Sequence, residues 1–178
     1  MKKSLSLCVG FLAALISSVP AWALDGMAVE LGHGKHANMG RVAVQWDWQS
    51  RWLPMSDWHV GGYWDLALGQ WRARHPPAGA NRDITEIGLT PVFRLQRNDL
   101  AGPYLEAAIG FHLMSNNRIG VKNMSTNFQF GDHVGAGYRF GAKQSFDLAY
   151  RYQHLSNAGI KRPNPGINFH QIRLHYHY

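Results

Sequence analysis

Stretches of ten or more residues in which every second side chain is apolar recur along this chain, and few folds can use them. From Arg41 to Gln49, Val42, Val44, Trp46 and Trp48 share one face, while Arg41, Gln45, Asp47 and Gln49 share the other. From Asp57 to Trp71 the apolar row is Trp58, Val60, Trp64, Leu66 and Leu68, set against His59, Tyr63 and Asp65. Asp83–Gln96 and Pro103–Leu113 repeat the pattern, with Glu86, Thr90, Arg94, Tyr104, Glu106 and His112 on the polar side. A helix would scatter these residues around its axis, whereas a strand sorts them onto two faces. Shorter or glycine-broken versions occupy Gly26–His33, Phe128–Gly141, Phe146–Ser156 and Asn168–Tyr178, which makes eight predicted strands.

The polar face decides between architectures. It carries Arg, Asp, Glu, Gln and His with small Gly and Ala, the mixture that fills the interior of a small barrel. A β-sandwich also alternates, but its strands are shorter and its two sheets share one core. Strands of ten residues or more fit a tilted membrane crossing. No run of about 18 apolar residues follows the N-terminal segment, so a membrane helix is excluded there. The long connections, Arg72–Arg82, Met114–Asn127 and Asn157–Ile167, alternate with short ones at Arg97–Leu100 and Ala142–Gln144, as outer loops and inner turns do. Ser50–Ser56 is long for an inner turn, and Trp52 in it suits the membrane interface. Tyr178 closes an outward row of Ile172, Leu174 and Tyr176 and resembles the C-terminal assembly signal of outer-membrane proteins. The fold expected is all-β, an eight-stranded antiparallel transmembrane barrel spanning residues 24–178.

Residues 1–23 read as a cleaved secretory signal: Lys2 and Lys3, an apolar stretch from Leu5 to Ile16, and Ala21-Trp22-Ala23 as the cleavage pattern. The one cysteine, Cys8, falls inside it, so the exported chain has no thiol chemistry. The formal charge of +7 loses the two lysines of the signal and becomes +5. For an exported chain without a basic stripe interleaved with aromatics, that charge points to anionic lipid and away from nucleic acid.

One outward row breaks its own rule. Phe146, Leu148, Tyr150 and Tyr152 continue into His154 and Ser156, two polar side chains on the lipid face near the outer end of the seventh strand. Such a pair can be a nucleophile with its base, although polarity at a strand end also suits the headgroup level. Asn168 opens the outward row of the eighth strand at the same end, where its side-chain oxygen can orient an imidazole. His175 and His177 point into the lumen without an obvious third metal ligand, and His33 and His36 flank a surface turn. Asp132 lies on the outward row of the sixth strand, where interface polarity is ordinary. Glu30, Asp65, Glu106 and Arg139 are expected to find partners in the lumen.

Tyr152-Gln153-His154-Leu155-Ser156-Asn157-Ala158-Gly159, followed by Lys161-Arg162-Pro163-Asn164-Pro165-Gly166-Ile167, resembles the PagL family of lipid A 3-O-deacylases. The stretch Gly131-Asp132-His133-Val134-Gly135-Ala136-Gly137-Tyr138-Arg139-Phe140 is similar to that family as well. The resemblance implies an eight-stranded outer-membrane barrel that removes the 3-position acyl chain of lipid A in lipopolysaccharide, without metal or other cofactor. It implies His154 as base and Ser156 as nucleophile, with Asn157, the backbone at Gly159, and Asn164 around the oxyanion. The family's acid falls at position 168, where this chain has Asn168 instead. Lys161 and Arg162 in the last outer loop are expected to meet lipid A phosphates, with the active site at the outer leaflet. The oligomeric state stays open, a homodimer included. The rival readings are a non-enzymatic small barrel serving adhesion or membrane stability, which has no use for a His/Ser pair on its lipid face, and a palmitoyl transferase of similar size.

Overall fold

The computed structural model describes Leu24–Tyr178, so the expected signal segment lies outside the described residues. Eight long strands run β1 (Gly26–His33), β2 (Ala37–Asp47), β3 (Trp58–Ala73), β4 (Asp83–Arg97), β5 (Gly102–Met114), β6 (Phe128–Phe140), β7 (Phe146–Ser156) and β8 (Ile167–His177). Each pairs antiparallel with its neighbours in sequence, and β1 pairs with β8 from Gly26↔His177 to His33↔His170, which closes the barrel. No helix among the described residues is long and apolar enough to cross a membrane, and strands do the crossing in this architecture.

Alternation becomes burial with little exception. In β7, Asp147, Ala149, Arg151, Gln153 and Leu155 are buried while the residues between them face outward. The outer wall leaves large apolar side chains uncovered, Leu31 at 73%, Ile109 at 61% and Val134 at 62% exposure. Water would penalise so much apolar surface, and a hydrocarbon layer does not. Aromatic rings cluster near the short turns: Trp48 packs on Trp52, Trp64 and Phe93, and Phe146 on Phe140 and Tyr176. The segment expected to be an overlong inner turn folds back instead. Trp52–Met55 adds a short ladder to the start of β3, with Trp52 opposite Val60 and Met55 opposite Trp58.

The interior is packed in two layers. Toward the turns lies an ion-pair network, in which Arg41 meets Glu30 (2.7 Å) and Glu86, and Arg151 meets Glu106 (2.5 Å) and Glu30 (3.2 Å). Arg94 joins Glu106 and Asp147, each at 3.0 Å, and Arg173 meets Asp65. Charges removed from water are tolerable only when paired in this way. Arg139 stands apart from the expected lumen pairs and donates to the Gln144 carbonyl (2.7 Å) in the turn before β7. Toward the long loops the filling turns apolar, with Trp71, Ile84, Met114, Ile119, Met124, Leu155, Ile167 and Phe169 in one buried cluster. Trp71 and Phe169 meet edge to face at 4.9 Å. This plug is the floor on which the long loops and the ends of β7 and β8 rest.

Candidate active site

Leu155 and Phe169 are the fixed points of the site. Both are fully buried in the plug, so the residues flanking them on β7 and β8 must face out. His154 and Ser156 flank Leu155, and Asn168 precedes Phe169. Register then sets His154 directly opposite Asn168 on one side and opposite Asp132 of β6 on the other. The imidazole Nδ1 and the Asn168 Oδ1 stand 2.5 Å apart. With Oδ1 accepting, Nδ1 carries the proton and Nε2 presents a lone pair. Ser156, one pleat period along β7, lies on the same face as that ring and is, like it, half-buried.

Below the pair, a groove of about 690 Å³ runs along the outer wall between Phe93, Ala107, Ile109, Val134, Tyr152 and His154, with Asp132 at its polar end. Ala107 is the small residue that opens it between longer neighbours. An acyl chain lying in the leaflet fits such a surface, which is apolar along its length and polar where it reaches the imidazole.

The loop after Ser156, residues 157–166, is organised by Asn157, whose side chain is completely buried. Its Nδ2 donates to Met124 O (3.0 Å) and Lys161 O (2.8 Å), and its Oδ1 accepts from Gly159 N (2.9 Å). The Asn157 side chain and the Gly159 amide thus meet each other within the loop. Ala158 and Gly159 both have positive φ, 52° and 82°, and Ile160 N bonds Asn157 O at 3.0 Å, as in a type I′ turn. The turn holds the Ala158 amide 3.5 Å from Ser156 Oγ. Positive φ at an alanine costs about 1–2 kcal/mol, which the bonds of Asn157 offset. Asn164 Oδ1 accepts from Asn157 N (3.0 Å), and no described protein acceptor takes its NH2 group. Lys161 and Arg162 are exposed on the same loop.

Two groups that shape the site carry no chemical signature in sequence. Residues 115–127 brace the loop of residues 157–166 through Met124 O, through Ser125 Oγ on Pro163 O (2.7 Å), and through Lys122 Nζ on Gly166 O (3.1 Å). Gly166 has φ of 59°, and a Cβ there would overlap His154 Cε1 and come within 3.0 Å of Nε2. The backbone thus lies flat against the imidazole edge. Only the Pro-Gly dipeptide hinted at a turn.

At the opposite end of the lumen, register supplies the third ligand-type residue that His175 and His177 lacked in the sequence reading: Asp147 is opposite His175. Its carboxylate already accepts from Arg94 Nη1 (3.0 Å) and Tyr104 OH (2.9 Å). A guanidinium meets that charge, which leaves the cluster a structural network.

Comparison with known proteins agrees with this fold. The family model described as lipid A 3-O-deacylase (PagL) matches residues 38–177. A lipid A deacylase PagL of Pseudomonas aeruginosa is 32% identical over 173 residues, covering 97% of this chain and 96% of that protein. One from Bordetella bronchiseptica is 29% identical over 160 residues, covering 86% and 83%. The crystal structure of the outer membrane enzyme PagL superposes with a TM-score of 0.76 at 28% identity, covering 86% of this chain and 99% of that one.

Proposed function

The chain belongs to the PagL family of lipid A 3-O-deacylases, and on that premise we propose that it is a serine esterase that hydrolyses the 3-position acyl ester of lipid A. The observation that carries the mechanism is the His154–Asn168 contact beside Ser156 on a lipid-facing wall. His154 Nε2 takes the hydroxyl proton as Ser156 Oγ attacks the ester carbonyl. The Ala158 amide and the Asn164 NH2 group donate to the oxyanion that forms. Collapse breaks the bond to the sugar oxygen, which leaves with the proton from His154. Water activated by the same imidazole then frees the acyl chain from Ser156. Asn168 holds the tautomer and ring plane but brings no charge to the imidazolium, whereas Asp132 places a carboxylate directly across the other strand.

Replacing Asn168 tests this division of labour. Asn168→Ala is expected to lower kcat by on the order of tenfold to a hundredfold, because an unoriented imidazole is out of line for most of its time. Asn168→Glu should equal or exceed the parent rate, since a carboxylate also steadies the positive ring. The measurement is the initial rate of acyl release from lipid A by mass spectrometry. Full activity in Asn168→Ala would remove it from the mechanism.

For the substrate to be met, the loop-bearing end has to face the cell exterior and its lipopolysaccharide leaflet. Cysteine at exposed Ile160 should therefore react with a membrane-impermeant maleimide on intact cells, and cysteine at exposed Lys143 only after lysis. The reverse labelling would invert the barrel and separate the site from its substrate.

A further inference from the structure

Three outer loops meet on the side of Asn168 away from the groove. The tight loop of residues 34–36 is seated against the start of β8: a Cβ on Gly34 would overlap the Asn168 carbonyl oxygen. Arg74 holds it in place, with Nη1 on Gly34 O at 3.1 Å and its backbone amide on His36 O at 2.8 Å. Lys122 reaches in from residues 115–127, its Nζ bound among the described residues only to the Gly166 carbonyl (3.1 Å). Between them lies a cleft of about 410 Å³, whose lining includes Lys35, His36, Lys122, Tyr152, Asn168 and His170. No Asp or Glu lines it, and neither lysine has an ion-pair partner among the described residues.

Such a cluster is at odds with itself. Partial burial and then the neighbouring Lys35 hold the Lys122 ammonium below the ordinary lysine range. Burial, Lys122 and Lys35 lower His36 in the same way. Lys122 is half-buried and held by the Gly166 carbonyl, and Lys35 is exposed at the rim beside it; two like charges so placed are stabilised by an anion that takes bonds from both. Lys161 and Arg162 are exposed, as Lys35 is, but they do not line this cleft.

We propose that this cleft is a phosphate subsite, binding a phosphate monoester on the sugar unit whose ester is presented to Ser156. The assignment rests on the deacylase reading above. Asn168 is the shared wall: on one side it orients His154, and on the other it borders Lys35 and Lys122. Phosphate and scissile ester sit on one rigid glucosamine unit, so anchoring the first fixes where the second falls. The cleft would thereby select which ester of an acyl-rich lipid reaches the nucleophile.

The experiment uses the purified full-length barrel in neutral detergent, with lipid A and with chemically dephosphorylated lipid A. Lys35→Glu is expected to raise KM for lipid A at least tenfold, leave kcat within about twofold, and change neither constant for the dephosphorylated lipid. Lys35→Ala should shift KM in the same direction by less, and Lys35→Arg should restore the parent value. An unchanged KM for lipid A, or an equal rise on both substrates, overturns the subsite. So does a Lys35→Glu penalty on dephosphorylated substrate that appears only in phosphatidylglycerol vesicles, because the anion would then come from neighbouring lipids. Failure of the deacylase reading looks different: the unsubstituted protein releases no 3-linked chain from either lipid.

Discussion

Ser156→Ala and His154→Ala are each expected to reduce acyl release by a factor on the order of 10³ or more, and the double variant to be little worse than either alone. As the proposed nucleophile and base, the two act as one unit, so removing one leaves the other idle. What survives comes from the groove and the oxyanion donors, which position the ester without attacking it. The loss should occur in folded protein. Both side chains are half-buried on the outward face, and the packing of that strand end is carried by Leu155 between them. Mass spectrometry of lipid A reads the reaction, and retention of heat-modifiable gel mobility reads the barrel. A folded variant at either position that still deacylates would dismiss the pair.

Gly166→Ala is expected to cost on the order of a hundredfold in kcat, although its position touches no part of the ester. The added methyl group would fall on His154 Cε1, and the backbone would have to hold φ of 59° with a Cβ present. Either the ring tilts or the loop lifts, and both take Nε2 out of line with Ser156 by a distance comparable to 1 Å, enough for a loss of this size. KM for lipid A should move less than kcat, since the acyl groove does not include Gly166. A Gly166→Ala enzyme with parental kcat would mean that the imidazole is not held from that side. The same change made at Gly79, where φ is 75° but no atom lies within 4 Å of a Cβ, separates the two effects. It should bear the backbone penalty alone and leave the rate unchanged.

Much of this could be read from alternation, because a period of two settles both strand and face. His154, Ser156 and Asn168 were visible as polar intruders in apolar rows, and their cross-strand contact follows once β7 and β8 are paired. The apolar plug under the long loops was not visible. Trp71, Ile84 and Phe169 lie on rows expected to be polar, and they face inward because loops, not water, cover that end of the lumen. The same plug explains why β2 starts at Ala37 and β3 continues to Ala73, beyond their predicted ends. Asn157 was read by its neighbourhood in the motif, but its acceptor at Met124 lies 33 residues away, a separation that no local pattern encodes. Asp147 beside His175 was hidden in the same way, since strand register is a property of pairs.

The closed, filled lumen and the outward-facing site together set how this enzyme meets its substrate. On the proposed mechanism nothing need cross the barrel, and no chain need leave the leaflet to reach Ser156, because the groove opens sideways onto the wall. Encounter is therefore a two-dimensional search. The concentration that governs turnover is the mole fraction of lipid A in the surface around the barrel, not the amount per volume of buffer. Adding inert detergent at constant total lipid A should slow the reaction by surface dilution, while adding water should not.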